Sequence, residues 1–213
     1  MTETTTTPAA PNRQSRRKQK TRMKLLEAAN QVFLEKGIEN TTVTDITETA
    51  DMAYGTFYNY FKSVSDVVPV VAEEILRKCQ QEIKTLQEQY DDPAMKIAVS
   101  IHALFKGVMS DPATNWLTQK PNIMVEELAR VATDDAIEDM RKGVESGSFR
   151  LPAGALTLKT FCTWAFTGVM HEASKDPEQL QQYTQDMTLL YLRILGVDDQ
   201  KAQEMVKVCA ELN

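Results

Sequence analysis

Residues 41–66 read TTVTDITETADMAYGTFYNYFKSVSD, and no other stretch restricts the fold of this chain so tightly. Thr42-Val-Thr-Asp45 has the form of a capping box: Thr42 can cap, and Asp45 stands at the third helical position. That opens a short helix over about 43–50, with Val43, Ile46 and Ala50 inward. Asp51-Met52 can make the turn, because Asp tolerates left-handed backbone. A second helix of only about two turns, 53–60, follows, with Phe57 and then Phe61 four residues apart. Upstream, Leu25, Leu26, Ala29, Val32 and Phe33 form one apolar stripe of a helix over about 16–36, and Gly37 stands at its C-terminal stop. Phe57 and Phe61 can anchor the second short helix against Leu26, Phe33 and Ile46. Two short helices joined by a tight turn, with a third packed in front, make a helix-turn-helix module.

The rest of the chain continues in helical periods. Ser63 or Ser65 caps a long helix reaching about Tyr90, with Pro69 awkward one turn in, where a local irregularity is expected. Asp91-Asp92-Pro93 and Asp111-Pro112 bracket a helix at about 93–109. Further helices are predicted at about 121–132, 134–146, 155–174, 177–195 and 199–211, with breaks at Gly147-Ser148, Pro152-Ala-Gly154, Lys175-Asp176-Pro177 and Gly196. No period-two pattern competes. The expected fold is all-α. Residues 1–12 form a disordered tail rich in Thr, Ala and Pro, residues 13–66 the helix-turn-helix domain, and residues 67–213 a second helical domain.

A net charge of −6 looks wrong for a polyanion binder, but its distribution matters more than its sum. Arg13, Arg16, Arg17, Lys18, Lys20, Arg22 and Lys24 fall in twelve residues without one acidic group, and acidic residues outnumber basic ones from Val67 onward. A basic stripe can hold phosphates while a distant acidic body keeps the protein soluble. Cys79, Cys162 and Cys209 are few, odd in number and far apart, which argues against a disulfide framework or a zinc site and fits a reducing cytoplasm. No apolar leader opens the sequence, and the longest strongly apolar run, 160–170, is too short to span a bilayer. His102 and His171 each stand alone on a predicted helix with no catalytic partner, so no enzyme, metal or cofactor is indicated.

The second short helix carries Tyr54, Thr56, Tyr58, Asn59, Tyr60 and Lys62, groups that hydrogen-bond phosphates and base edges. Gly55 removes a side chain where close approach to DNA would require it. With LLEAANQVFLEKG at 25–37, TTVTDI at 41–46, TADMAYGTFYNYF at 49–61 and the cap Ser63-Val-Ser-Asp66, residues 22–66 resemble the DNA-binding domain of the TetR family of bacterial regulators. The resemblance implies a recognition helix at 53–60, with Ala53, Tyr54, Gly55, Thr56 and Asn59 at base and nearby backbone positions. It implies phosphate contacts by Tyr58, Tyr60 and Lys62, and by Thr42 and Thr44 from the preceding helix. Asp51 replaces the usual turn glycine, and Val64 stands where a lysine commonly meets a phosphate; the basic stretch at 13–24 can compensate.

Beyond residue 66 the resemblance lies in helix count and lengths. Bulky apolar residues exceed what one-sided burial requires, and His102, Phe105, Met109, Trp116, Met124, Phe161 and Trp164 are the candidate lining of an effector pocket. The helix at 155–174 is apolar nearly all round and must be covered on two sides. With its neighbour at 177–195 it can form a four-helix dimer interface through Phe166, Val169, Met187, Leu190 and Ile194, the arrangement the family implies. The expected function is a homodimeric repressor that binds a palindromic operator in duplex DNA and is released by a small apolar or aromatic effector. The competing reading is a nucleoid-associated or division-control factor on the same fold, without a ligand.

Overall fold

The computed structural model of the chain describes residues 13–110, 114–131 and 134–212. The expected tail at 1–12 and the break at Asp111-Pro112 lie outside the described residues. All regular structure among the described residues is helical, and the chain forms two compact units that divide between Val67 and Val68.

The first unit holds α1 (Arg13–Lys36), α2 (Val43–Thr49) and α3 (Tyr54–Phe57). Leu25, Leu26, Ala28, Ala29, Val32 and Phe33 form the buried stripe of α1. Gly37 ends the helix at φ 76°, its amide donating to the Phe33 carbonyl at 3.0 Å. α2 packs on both α1 and α3. Between α2 and α3, Asp51 adopts φ 51°, the only non-glycine in the left-handed region among the described residues. Regular helix in α3 stops at Phe57, earlier than the predicted 60. The Asn59 amide donates to Thr56 at 3.2 Å and the Tyr60 amide to Phe57 at 2.9 Å, three-residue bonds that tighten the last turn.

Helix α4 (Val64–Gln87) runs through Pro69 without interruption, so the expected irregularity does not break it. The second unit then holds α5 (Pro93–Ser110), α6 (Asn115–Thr118), α7 (Pro121–Val131), α8 (Asp134–Glu145), α9 (Ala155–Ala173), α10 (Leu180–Ile194) and α11 (Asp199–Ala210). The short α6 is absent from the helical pattern of the sequence; it buries Trp116, Leu117 and Thr118. α5 packs against α8, α10 and α11, and α9 packs against α6, α7 and α10. One core joins Ala94, Met95, Ala98 and Val99 of α5 to Leu158, Leu192, Met205 and Cys209. The Phe149 ring lies so close to Gly143 that a Cβ there would meet it at 2.1 Å. None of the three cysteines forms a disulfide; Cys79 and Cys209 are buried and Cys162 is half-buried.

Candidate nucleic-acid interface

The platform beneath α3 is built by local bonds. Thr42 caps α2 by accepting from the Asp45 amide at 3.2 Å, and the Asp45 carboxylate takes the Thr42 amide at 2.9 Å. The Thr42 hydroxyl donates its proton to Asp45 at 2.7 Å, and Lys36 from the end of α1 pairs with the same carboxylate. The Lys36 bond first, then those from Thr42, hold the Asp45 carboxyl down at about 2. These bonds tie the start of α2 to the end of α1. Phe57 and Phe61 are buried with Leu26, Phe33 and Ile46 and lie 5.7 Å apart, as the spacing predicts.

With Phe57 and Phe61 inward, the segment 53–62 around α3 turns its polar residues toward the surface. Ala53, Tyr54, Gly55, Tyr58, Asn59 and Lys62 are exposed, and Thr56 and Tyr60 are half-buried. Tyr54 and Tyr58 share a hydroxyl–hydroxyl bond of 2.9 Å with rings edge to face, so they present one paired polar edge. That bond raises the Tyr58 phenol above its ordinary range. Gly55 has nothing within 4 Å of where a Cβ would stand. Nothing among the described residues therefore demands a glycine there. Thr42 and Thr44 are exposed as well, but the Thr42 hydroxyl proton is already committed to Asp45.

The basic stretch is helical from Arg13. Arg13, Arg17, Lys20 and Lys24, at helical spacings of four, three and four, form one exposed stripe along the first half of α1. Arg22 instead lies 5.6 Å over the Phe61 ring, a cation–π contact that ties α1 to the end of the α3 segment.

In the second unit four candidates differ in exposure from what their expected roles suggest. Phe161 and Trp164, expected to line a pocket, are 58% and 47% exposed on α9. Phe166 and Met187, expected at a dimer interface, are buried within the protomer, Phe166 edge to face with Phe105 and Tyr191. At about 100° per residue, Phe166 stands on the side of α9 opposite Trp164, and its ring contacts with Phe105 of α5 and Tyr191 of α10 make it the inward side. Leu190 is exposed, and Val169 and Ile194 are half-buried. Phe105, Trp116 and Met124 are buried, and His102 and Met109 half-buried, on α5 to α7. Burial, with a lesser push from Lys106, holds His102 below its usual range.

Two polar residues of this unit escaped the sequence reading. Glu127 and Thr167 are buried at 1% and 0% exposure on α7 and α9. The one available signal was that Glu127 follows Met124 by three residues, which puts a carboxylate on the apolar face of that helix.

Known proteins share both parts. The model of bacterial regulatory proteins of the tetR family matches residues 25–68, and that of the tetracyclin repressor-like C-terminal domain matches residues 92–208, more than half of the chain. The uncharacterized HTH-type transcriptional regulator YvdT of Bacillus subtilis (strain 168) is 41% identical over 61 residues, 29% of this chain and 31% of that one. The HTH-type transcriptional repressor DhaR of Mycobacterium sp. (strain GP1) is 26% identical over 174 residues, covering 76% of this chain and 87% of its own. Among solved structures, RolR in complex with resorcinol superposes with a TM-score of 0.70 at 24% identity over 90% of this chain and 95% of that one, a likeness of fold. The family is one of transcriptional regulators rather than enzymes, and no described helix is long and apolar enough to cross a membrane. With a helix-turn-helix unit and a helical C-terminal unit that both match, the chain belongs to the TetR family of bacterial transcriptional regulators.

Proposed function

We propose that this regulator is a homodimeric repressor that binds a near-palindromic operator and leaves it when a small molecule occupies the second unit. The observation that carries the DNA reading is the outward face of α3: Tyr54, Tyr58, Asn59 and Lys62 stand exposed around Gly55, whose Cβ position is open. Asn59 and Thr56, with Ala53, Tyr54 and Gly55, take the base and nearby backbone positions. Tyr58, Tyr60, Lys62 and Thr44 take phosphates, and Thr42 joins them only by giving up its bond to Asp45. The stripe Arg13, Arg17, Lys20 and Lys24 adds phosphate contacts where Val64 offers none.

The dimer reading rests on the exposed apolar side of α9 and α10. Leu156, Phe161, Trp164 and Leu190 are 81%, 58%, 47% and 46% exposed, on two helices that pack together. Large apolar side chains clustered on a surface call for a covering partner, and a second copy offers the same patch by two-fold symmetry. Val169 and Ile194 flank that face; Phe166 and Met187 support it from within. An effector chamber among α5, α6, α7 and α9 would use His102, Phe105, Met109, Trp116 and Met124. Its coupling to DNA is the difference in ligand affinity between two conformations, typically about 1–3 kcal/mol, and DNA must weaken the ligand equally.

Selection of bound duplexes from random sequence tests the proposal. A few closely related near-palindromes, bound by dimers in sedimentation, are expected. Sequence-indifferent binding would favour the nucleoid or division-control reading, and monomers at micromolar concentration would refute the dimer.

A further inference from the structure

Helices α7 and α9 pack on each other, and Met124 of α7 and Met170 and Ala173 of α9 are fully buried. Each helix also carries one buried polar side chain without a hydrogen-bond partner. On α7, neither carboxylate oxygen of Glu127 accepts a hydrogen bond. Arg130 brings its Nη1 to 3.1 Å of Oε1 without the alignment of a hydrogen bond, and its side chain is 62% exposed. On α9, the Thr167 hydroxyl is unpartnered at 0% exposure. Other helical threonines nearby turn their proton back to the carbonyl four residues earlier: Thr160 to Leu156 and Thr163 to Lys159 in α9, Thr184 to Leu180 and Thr188 to Thr184 in α10. Thr167 does not.

An unsatisfied buried polar group costs more than a typical hydrogen bond returns, and native chains keep few of them without a reason. Burial pushes Glu127 above the usual carboxylate range, Arg130 pulls it back, and Glu73 and Glu126 push it up further. The carboxylate thus has a counter-ion at its rim and lacks a donor. A neutral hydroxyl supplies that donor without adding a charge to the site. A hydroxyl also suits Thr167, because it accepts as well as donates. The flanking methionines are adaptable walls for an apolar or aromatic body.

We propose that Glu127 and Thr167 recognise the effector by its hydroxyl, so that the ligand class is a small phenol or alcohol rather than a purely apolar molecule. This rests on the proposed effector-binding role of the second unit and narrows its chemistry.

The test titrates the full-length protein calorimetrically, up to millimolar probe, with phenol and with toluene, its isostere carrying a methyl group for the hydroxyl. Phenol is expected to bind roughly tenfold or more tighter than toluene, the scale of one hydrogen bond to a charged group. Glu127→Met and Thr167→Val should each bring phenol toward toluene's affinity and leave toluene unchanged. Neither should lower Tm, since each removes an unsatisfied buried polar group. Equal binding of the two probes to the unmutated protein overturns the hydroxyl recognition while leaving the effector role intact, because operator release by other compounds judges that role separately. A phenol preference that survives both substitutions moves the site elsewhere and overturns the assignment. No phenol binding, or a Glu127→Met protein of lowered Tm, makes Glu127 a structural partner of Arg130 and overturns it as well.

Discussion

Gly55→Ala separates stability from function at a single atom. Gly55 is the second residue of α3, its φ lies outside the left-handed region, and the added methyl meets nothing within 4 Å. The substitution therefore introduces no clash with any described residue and removes backbone freedom from the unfolded state, a gain of about 0.4–1 kcal/mol. For a chain of this size that is a rise in Tm of about 1–4 °C. On DNA the sign reverses. A methyl group between the helix backbone and the duplex holds the two apart, and loss of even one charge-assisted hydrogen bond to phosphate costs about 1.5–3 kcal/mol, or roughly tenfold to 150-fold in affinity. Thermal melts and fluorescence titrations of the selected operator, run on the same preparations, read both effects. A Gly55→Ala protein that binds as tightly as the original would refute the close approach of α3 to DNA; one that melts lower would refute the open surroundings of Gly55.

Other outcomes follow from the same geometry. Tyr58→Phe keeps the ring and removes the hydroxyl bonded to Tyr54, and it should weaken binding roughly tenfold or more on all duplexes alike; a changed base preference at unchanged affinity would reverse the role assigned to Tyr58. Asp45 sits at about 2 in the folded chain against 3.8 unpaired. The stability it contributes is therefore complete above a pH of about 4 and lost as pH falls toward about 2. In urea melts across that window Asp45→Asn should lack this part of the acid slope, and an identical slope would mean that the Lys36–Asp45–Thr42 bonds do not persist in solution. Trp164→Glu should dissociate the dimer by several kcal/mol while leaving the protomer folded, by the scale of an unpaired buried charge. Phe166→Ala should do the opposite, lowering protomer stability by about 3–5 kcal/mol without itself removing an interface side chain. Sedimentation and melting of the two variants decide between these faces of α9.

The helix-turn-helix unit was legible in the sequence because its determinants are local. The Thr42–Asp45 capping bonds close over three residues, Gly37 and Asp51 adopt the left-handed backbone their positions require, and Phe57 and Phe61 share a face by spacing alone. None of this depends on which distant helix arrives. The contact that ties Arg22 to Phe61, and the pairing of Lys36 with Asp45, needed the fold to bring their elements together. In the second unit only the fold could decide. α9 is apolar nearly all round, so its periodicity says little about which side faces inward; packing against α6, α7 and α10, with Phe105 of α5 on Phe166, buries Leu158, Phe166 and Met170 and leaves Phe161 and Trp164 outside. The burial of Glu127 has the same origin: next to Glu126 it reads as one more surface carboxylate, and only the tertiary packing of the second unit removes it from water.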